Sequence, residues 1–375
     1  MVPENPAMRV VICGGGVIGA SVAYFLSCLG ARPIVVESTG IACAASGKSG
    51  GFLALDWCDG TPLEQLARRS FELHAELAQK IGGDWGYRRM VTYSGSASEH
   101  HSARRATIGT SNWLAEGVAL DRRLGSADTT AQVLPAQFTA AMMHTAQAQG
   151  AELRLARVTD LMRSGSVVTG VETDGGRIEG DAVVIAMGPW SIMASLWLPL
   201  PAVFGLKGHS LVFDTGSTVP AEALFLEYRE ATGNTLSPEV FPRSDGTTYI
   251  CAISSESPLP ADPGSVVPDD GAIERLEAIS DRLSPALGGA KIVARQACYR
   301  PVTQDGLPLI GRIAGLDGAF VATGHSVWGI LNAPATGEAM ADLIVHGSSR
   351  NVDLSPFDPA RLPPLDRNRL SAEPR

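Results

Sequence analysis

The apolar positions near the start of the chain fall into three short blocks. Arg9–Cys13 is an apolar run of strand length, and Val17–Leu29 carries apolar residues at helical spacing. Pro33–Glu37 is apolar and β-branched again and ends on an acid. Together they predict a strand–turn–helix–strand unit. Thr61-Pro62-Leu63-Glu64 reads as a helix start, with Thr61 as N-cap, Pro62 at the first helical position and Glu64 closing a capping box. That helix runs to about Ile81 and stops at Gly82-Gly83. Trp85 to Asp128 is mixed, with strand around Tyr87–Ser94 and a helix near Ser111–Gly117. Pro135–Gln149 is helical.

Beyond Gly150 the period shifts towards two. Glu152–Ala156, Val158–Arg163, Val167–Thr173 and Arg177–Glu179 read as strands, broken by the turns Ser164-Gly165-Ser166 and Asp174-Gly175-Gly176. Asp181–Met187 is a buried strand. Gly205–Phe213, Leu224–Tyr228, Glu239–Pro242, Thr247–Ser254 and Ile292–Thr303 alternate with turns around an amphipathic helix, Gly271–Leu283. Ala319–Ala322 and the helix Leu331–Val345 complete the pattern. This predicts an α/β fold, α+β overall. A Rossmann-like domain (residues 8–84, 145–200 and 305–350) would join a mixed-sheet domain (85–144 and 201–304), with the chain crossing between them. Five prolines in 351–375 predict a poorly structured surface tail.

A chain of 375 residues with 45% hydrophobic and 18% charged positions is long enough for two buried cores. Its net charge of −9 disfavours nucleic acid and anionic membrane surfaces. The uncharged run Trp190–Leu206 contains Pro199 and Pro201 and is shorter than a membrane span. The first residues show no apolar or arginine-rich targeting pattern, so a cytoplasmic location is expected. The six cysteines have no metal-motif spacing and read as reduced thiols; no metal is expected. Nothing in the composition fixes an oligomeric state.

The candidate chemistry begins at Gly14, Gly16 and Gly19, which give the G-x-G-x-x-G spacing between the first strand and helix. Gly14 permits the turn, Gly16 lets a pyrophosphate approach the backbone, and Gly19 lets the helix pack on the sheet. The helix N-terminus at Val17 and Ile18 offers free N–H groups to phosphate. Glu37, 21 residues after Gly16 and followed by Ser38, suits ribose hydroxyls and opposes a 2′-phosphate. This unit indicates a dinucleotide without deciding between FAD and NAD. A second small-residue cluster, Ala45, Ser46, Gly47, Lys48, Ser49, Gly50 and Gly51, can pass under a pyrophosphate and ribityl chain, or be a flexible loop. Lys48 would stabilise negative charge beside a flavin, or be a solvated surface lysine. Gly188, after a buried strand, lets the backbone pass close to a ligand. Arg300 sits in an apolar strand, so it either pairs with an internal carboxylate or takes one from a substrate. His325, in the glycine-rich entry to the last helix, is a candidate site residue or a structural histidine. Tyr228, Tyr249, His209 and Trp328 are candidate pocket residues, with core packing as the alternative.

The ordered motifs GGGVIG, Glu37, ASGKSGG, AMGPWS, RPVTQDGLPLIG and GHSVWGILNAPATGE resemble the D-amino-acid oxidase superfamily of FAD-dependent oxidoreductases, the group of glycine, sarcosine and D-amino-acid oxidases. ACAASGKSGGFLALDWCDG and VDLSPFDPARL look closest to a plant and fungal branch of FAD oxidoreductases. The resemblance spans nearly the whole chain. It implies FAD extended across the first domain, with Gly14, Gly16, Gly19 and Glu37 at the ADP half and Val158 facing the adenine. Ser46, Gly47 and Lys48 would line the pyrophosphate and flavin. Gly188, Trp190 and the stretch Gly324, His325, Val327, Trp328, Gly329 and Ile330 would close over the flavin. It further implies that Arg300 holds an amino-acid carboxylate; Tyr228 and Tyr249 are the candidates for residues beside a substrate. The implied reaction is oxidation of a C–N bond by hydride transfer to flavin, with O2 as acceptor. Some relatives attach FAD through a cysteine near the position of Cys298. Noncovalent FAD is nevertheless expected, because a buried cysteine is usually a small core residue. Sarcosine oxidase has an oxygen-activating lysine in the region of Thr247–Ser254. This chain has none there, so Lys48 substitutes or the acceptor is not O2. The remaining alternatives are an FAD-containing assembly or structural factor and an NAD-linked dehydrogenase.

Overall fold

The computed structural model describes residues 7–99, 108 and 111–366. Its first sheet is built on the predicted unit: strand β1 (Arg9–Cys13), helix α1 (Val17–Cys28) and strand β2 (Arg32–Glu37). β1 is central, pairing in parallel with β2 on one side and Ala182–Ile185 on the other. The order across the sheet is Leu309–Arg312, Ala319–Thr323, Ala182–Ile185, β1, β2 and Glu152–Leu155. Only Leu309–Arg312, which the sequence pattern does not pick out, runs antiparallel.

The residues sort by strand parity onto two faces. Val10, Ile12, Val35, Val184 and Ala322 join a core with α1 and the helices Pro135–Ala148 and Gly329–His346. Val11, Cys13, Ile34, Val36, Val183 and Val321 join another with the meander Val158–Ser164, Val167–Thr173 and Gly176–Glu179. Both faces are covered, as a mostly parallel sheet requires. α1 and the last helix approach closely because a Cβ on Gly337 would lie 2.7 Å from the Ser21 backbone.

The second domain is an eight-stranded mixed sheet. Its main order is Lys291–Thr303, Val203–Asp214, Thr247–Ser255, Glu239–Pro242, Glu222–Arg229, Val91–Ser98 and Val118–Gly125. Parity again divides it. Leu224, Leu226, Tyr228, Val240 and Ile250 pack under the helix Ala272–Leu283, whereas Ala223, Phe241, Tyr249 and Cys251 face the first domain.

Four expectations change. The helix sought near Ser111–Gly117 is a single 3-10 turn, Ser111–Trp113. The helix after Thr61 begins at Glu64 with Leu63 as its N-cap, two residues later than the capping box predicts, and the Glu64 carboxylate accepts from Gly60 N (2.8 Å) rather than from Thr61 N. Pro135–Ala148, assigned up to residue 144 to the second domain, packs against α1 because Phe138, Met142 and Ala146 belong to the first core. The proline-rich tail is docked through residue 366. Val352, Phe357 and Pro359 are buried, Arg361 pairs with Asp305, and Leu365 N donates to Leu200 O (2.8 Å). Its prolines shape two 3-10 turns, Ser355–Phe357 and Pro359–Arg361. Residues 367–375 lie outside the described residues.

Candidate active site

The C-terminal end of β1 opens into a cavity of about 520 Å³ lined by both domains. Gly14 makes the exit turn at φ +114°, and a Cβ there would stand 2.4 Å from Ala186 O. Gly19 packs under the turn, where a Cβ would meet Gly14 O at 2.0 Å. α1 has Gly16 at its N-cap and no side-chain cap of its own. Instead Val17 N donates to Ser46 Oγ (2.9 Å), so the second small-residue cluster touches the first. That cluster is one helical turn, Ala45–Lys48. Glu37 is buried and accepts from Gly15 N (2.7 Å), Thr39 N (2.8 Å) and Gly40 N (3.3 Å). Oε1 already accepts twice, and Oε2, which accepts only from Gly15 N, retains acceptor capacity for a ribose hydroxyl.

Most of the expected cofactor residues lie on the cavity wall: Gly14, Gly16, Val17, Ile18, Glu37, Ser38, Ala45, Ser46, Gly50, Gly51, Val158, Gly188, Trp190, Gly324, His325, Val327, Trp328, Gly329 and Ile330. Gly19, Gly47 and Lys48 do not. Gly47 packs on Ala42 O. Lys48 Nζ donates to Ala297 O (3.2 Å), and Lys48 O accepts from Gln296 Nε2 (3.1 Å), so this lysine ties the turn to the strand Lys291–Thr303. Its ammonium is thus held on a backbone carbonyl off the cavity wall, unlike the flavin-facing position expected of it.

His325 lines the cavity with Nε2 3.0 Å from Thr336 Oγ1, while its buried Nδ1 has no partner among the described residues. Burial lowers its pKa to about 3, so the ring is neutral at physiological pH. The last helix starts here, and Pro334 deprives Ile330 O of its helical donor. Helix Glu64–Ile81 repairs the gap from one face. His74 Nε2 lies 3.0 Å from Ile330 O and 3.2 Å from Leu331 O, and Ala335 N donates to Ser70 Oγ (3.0 Å). Both partners of His74 Nε2 are carbonyls, so that nitrogen carries the proton. Burial lowers the His74 pKa to about 4.

The second domain contributes a polar pair and an aromatic wall. Arg300 donates from Nη1 to Ser254 Oγ (3.2 Å), and its guanidinium lies near Gly208, where a Cβ would be 3.5 Å from Nη2. No carboxylate of the described residues is within ion-pair distance of it. Tyr249 lines the cavity and stacks on Phe241 (centroids 6.0 Å, 4°). Tyr228 does not reach the cavity. It stands three residues from Phe225, hence on the opposite sheet face, and is buried beneath Ala272–Leu283. His209 lines the cavity, with Nδ1 3.2 Å from Ile253 O and Nε2 accepting from Asp269 N (3.1 Å). Cys298 also lines it, and burial raises its thiol pKa.

Several wall residues escape a reading of the sequence. Phe52, Trp57, Phe225 and Phe241 join the expected Tyr249 and Trp328 in one connected ring cluster, with Phe52 and Phe225 5.0 Å apart and Trp57 and Phe225 4.8 Å apart. Glu239 also faces the cavity. It accepts from Cys251 Sγ (3.6 Å), and burial raises its carboxyl pKa against the opposing pull of Arg300 and Cys251. Alternation along Glu239–Pro242 is the one available signal, and which parity faces inward depends on pairing between strands.

A glycine turn under an uncapped helix end, a buried acid after β2 and a long cavity reaching a second sheet suit an extended dinucleotide. The unpartnered Nδ1 of His325 adds a polar atom available to such a ligand. Comparisons with known proteins agree. Over 374 aligned residues the chain is 29% identical to glycine oxidase from Pseudomonas aeruginosa, covering 94% of this chain and 98% of that protein. An oxidoreductase of Schizosaccharomyces pombe is also 29% identical, with 94% and 97% covered. The crystal structure of glycine oxidase from Geobacillus kaustophilus superposes with a TM-score of 0.79 at 27% identity, covering 95% of this chain and 99% of that one. The DAO family model, "FAD dependent oxidoreductase", matches residues 9–343. With the turn, acid and cavity of an FAD site in place along that span, the chain belongs to the DAO family of FAD-dependent oxidoreductases.

Proposed function

We propose that the protein oxidises the C–N bond of a small amine or amino acid, with O2 as final acceptor and imine and hydrogen peroxide as products. The observation that carries this reading is Arg300: a guanidinium on the cavity wall with no carboxylate within ion-pair distance among the described residues. Its planar fork suits a substrate carboxylate bidentately, and Ser254 holds its orientation. Bound FAD supplies the hydride acceptor. Gly14, Gly16, Glu37 and Ser46 would hold its ADP and pyrophosphate, and Gly324 to Ile330 its ring. The N-terminus of Gly329–His346 presents partial positive charge to that end of the cavity. The aromatic wall excludes water from the reacting carbon. The Cys298 thiol, whose pKa is raised by desolvation, stays protonated, which favours noncovalent FAD.

Anaerobic mixing of the yellow holoenzyme with glycine, sarcosine, D-amino acids and other amines tests the reading. A substrate bleaches the flavin absorbance. Arg300→Leu should cost about 3 kcal/mol in kcat/KM for carboxylate substrates, roughly 150-fold, with FAD content unchanged. Normal oxidation by that variant would refute the assignment.

One observation supports a dehydrogenase with a different acceptor: no lysine lines the cavity among the described residues, and Lys207 is paired with Asp269. Reoxidation of the bleached enzyme by air, compared with an added quinone, separates the two.

A further inference from the structure

Glu239 has no role in the scheme above. It shares the cavity-facing side of the second sheet with Arg300, but two strands, Thr247–Ser255 and Val203–Asp214, separate their own strands. Among the described residues no cation lies within ion-pair distance of Glu239, and the one hydrogen bond to its carboxylate comes from the weak thiol donor of Cys251. The rings of Phe225 and Phe241 flank it. Phe225 is its cross-strand partner, and Phe241 is two residues along on the same face. A half-buried carboxylate on which Arg300 acts only from beyond ion-pair distance is incompletely compensated. One that opens into a ligand cavity beside aromatic faces is completed by a cation from the ligand.

We infer that Glu239, with Phe225 and Phe241, is the site for the cationic group of the substrate, so that the enzyme selects zwitterions whose carboxylate sits on Arg300. The inference rests on the proposed carboxylate role of Arg300 and adds the opposite pole. It excludes simple carboxylic acids and uncharged amines as good ligands.

The test uses two unreactive ligands of the same shape on the holoenzyme. N,N,N-trimethylglycine carries a carboxylate and a permanent cation; 3,3-dimethylbutanoate replaces that cation with a neutral carbon. Binding is read from the perturbation of the FAD absorbance. The wild type should bind trimethylglycine at least about tenfold more tightly than dimethylbutanoate. In Glu239→Gln the two should bind within about threefold of each other, with dimethylbutanoate no weaker than before. Equal binding of both ligands by the wild type overturns the inference and leaves the role of Arg300 standing, and this arm needs no variant to fold. Persistence of the full preference in Glu239→Gln overturns it as well. If the wild type binds neither, the carboxylate reading of Arg300 fails and this inference falls with it.

Discussion

Acidification should destabilise the first domain through His74. In the folded protein burial lowers its pKa to about 4, whereas an unfolded histidine titrates near about 6.5. The unfolded chain therefore binds the proton first as pH falls. The stability held by neutral His74 is fully present above about pH 6.5 and is lost between there and about pH 4. Linkage gives a loss of about 2.5 kcal/mol at pH 4.5 from this residue, within a limit of about 3.4 kcal/mol. His74→Gln isolates the effect, because an amide can still donate to Ile330 O but does not titrate. At pH 7 the variant should be about 1–2 kcal/mol less stable than wild type, from poorer packing and one weakened hydrogen bond. Urea unfolding at pH 7, 6, 5 and 4.5 should show that gap closing and then reversing. Parallel pH profiles for the two proteins would refute the assignment of the acid sensitivity to His74.

Other outcomes follow from single contacts. Gly14→Ala places a methyl 2.4 Å from Ala186 O at φ +114°, so the purified variant should lack most of its FAD while far-UV circular dichroism is retained. Lys48→Met should leave the rate of flavin reoxidation within about twofold, because its ammonium is held on Ala297 O; a tenfold fall would return Lys48 to the chemistry. Phe357→Ala should cost about 3–5 kcal/mol in urea unfolding, as this tail ring is fully buried; a change below about 1 kcal/mol would show the tail undocked.

The glycine turn and the buried acid at the first sheet were legible because their determinants are local. Gly14, Gly16, Gly19 and Glu37 fall within one strand–turn–helix–strand unit, and the chemistry of each depends on neighbours close in sequence. The cavity wall contributed by the second sheet was not. Whether Tyr228 or Phe225 faces the cavity depends on which side of a mixed sheet the other domain covers, and no spacing within Glu222–Arg229 reveals that. Glu239 escaped for the same reason. Lys48 looked like a site residue from its loop, yet the carbonyl that occupies it belongs to a strand 249 residues away. The tail misled through composition: its prolines suggested disorder, but Phe357 and Arg361 anchor it to the first domain.

The order of strands in the first sheet also governs how the protein can be made. β1 emerges before its sheet partners, and its partner Ala182–Ile185 starts 173 residues after β1 does, with the next strand over, Ala319–Thr323, later still. At about 5–20 residues per second, β1 waits roughly 15–60 seconds before the sheet that buries it can close. Until then Val10, Val11 and Ile12 have lasting partners only in β2 and α1. The cofactor cavity, whose wall reaches Ile330, cannot be complete on any shorter nascent chain. Flavin capture therefore has to follow synthesis of the wall up to Ile330, and C-terminal truncations before residue 323 should aggregate rather than yield a smaller flavoprotein.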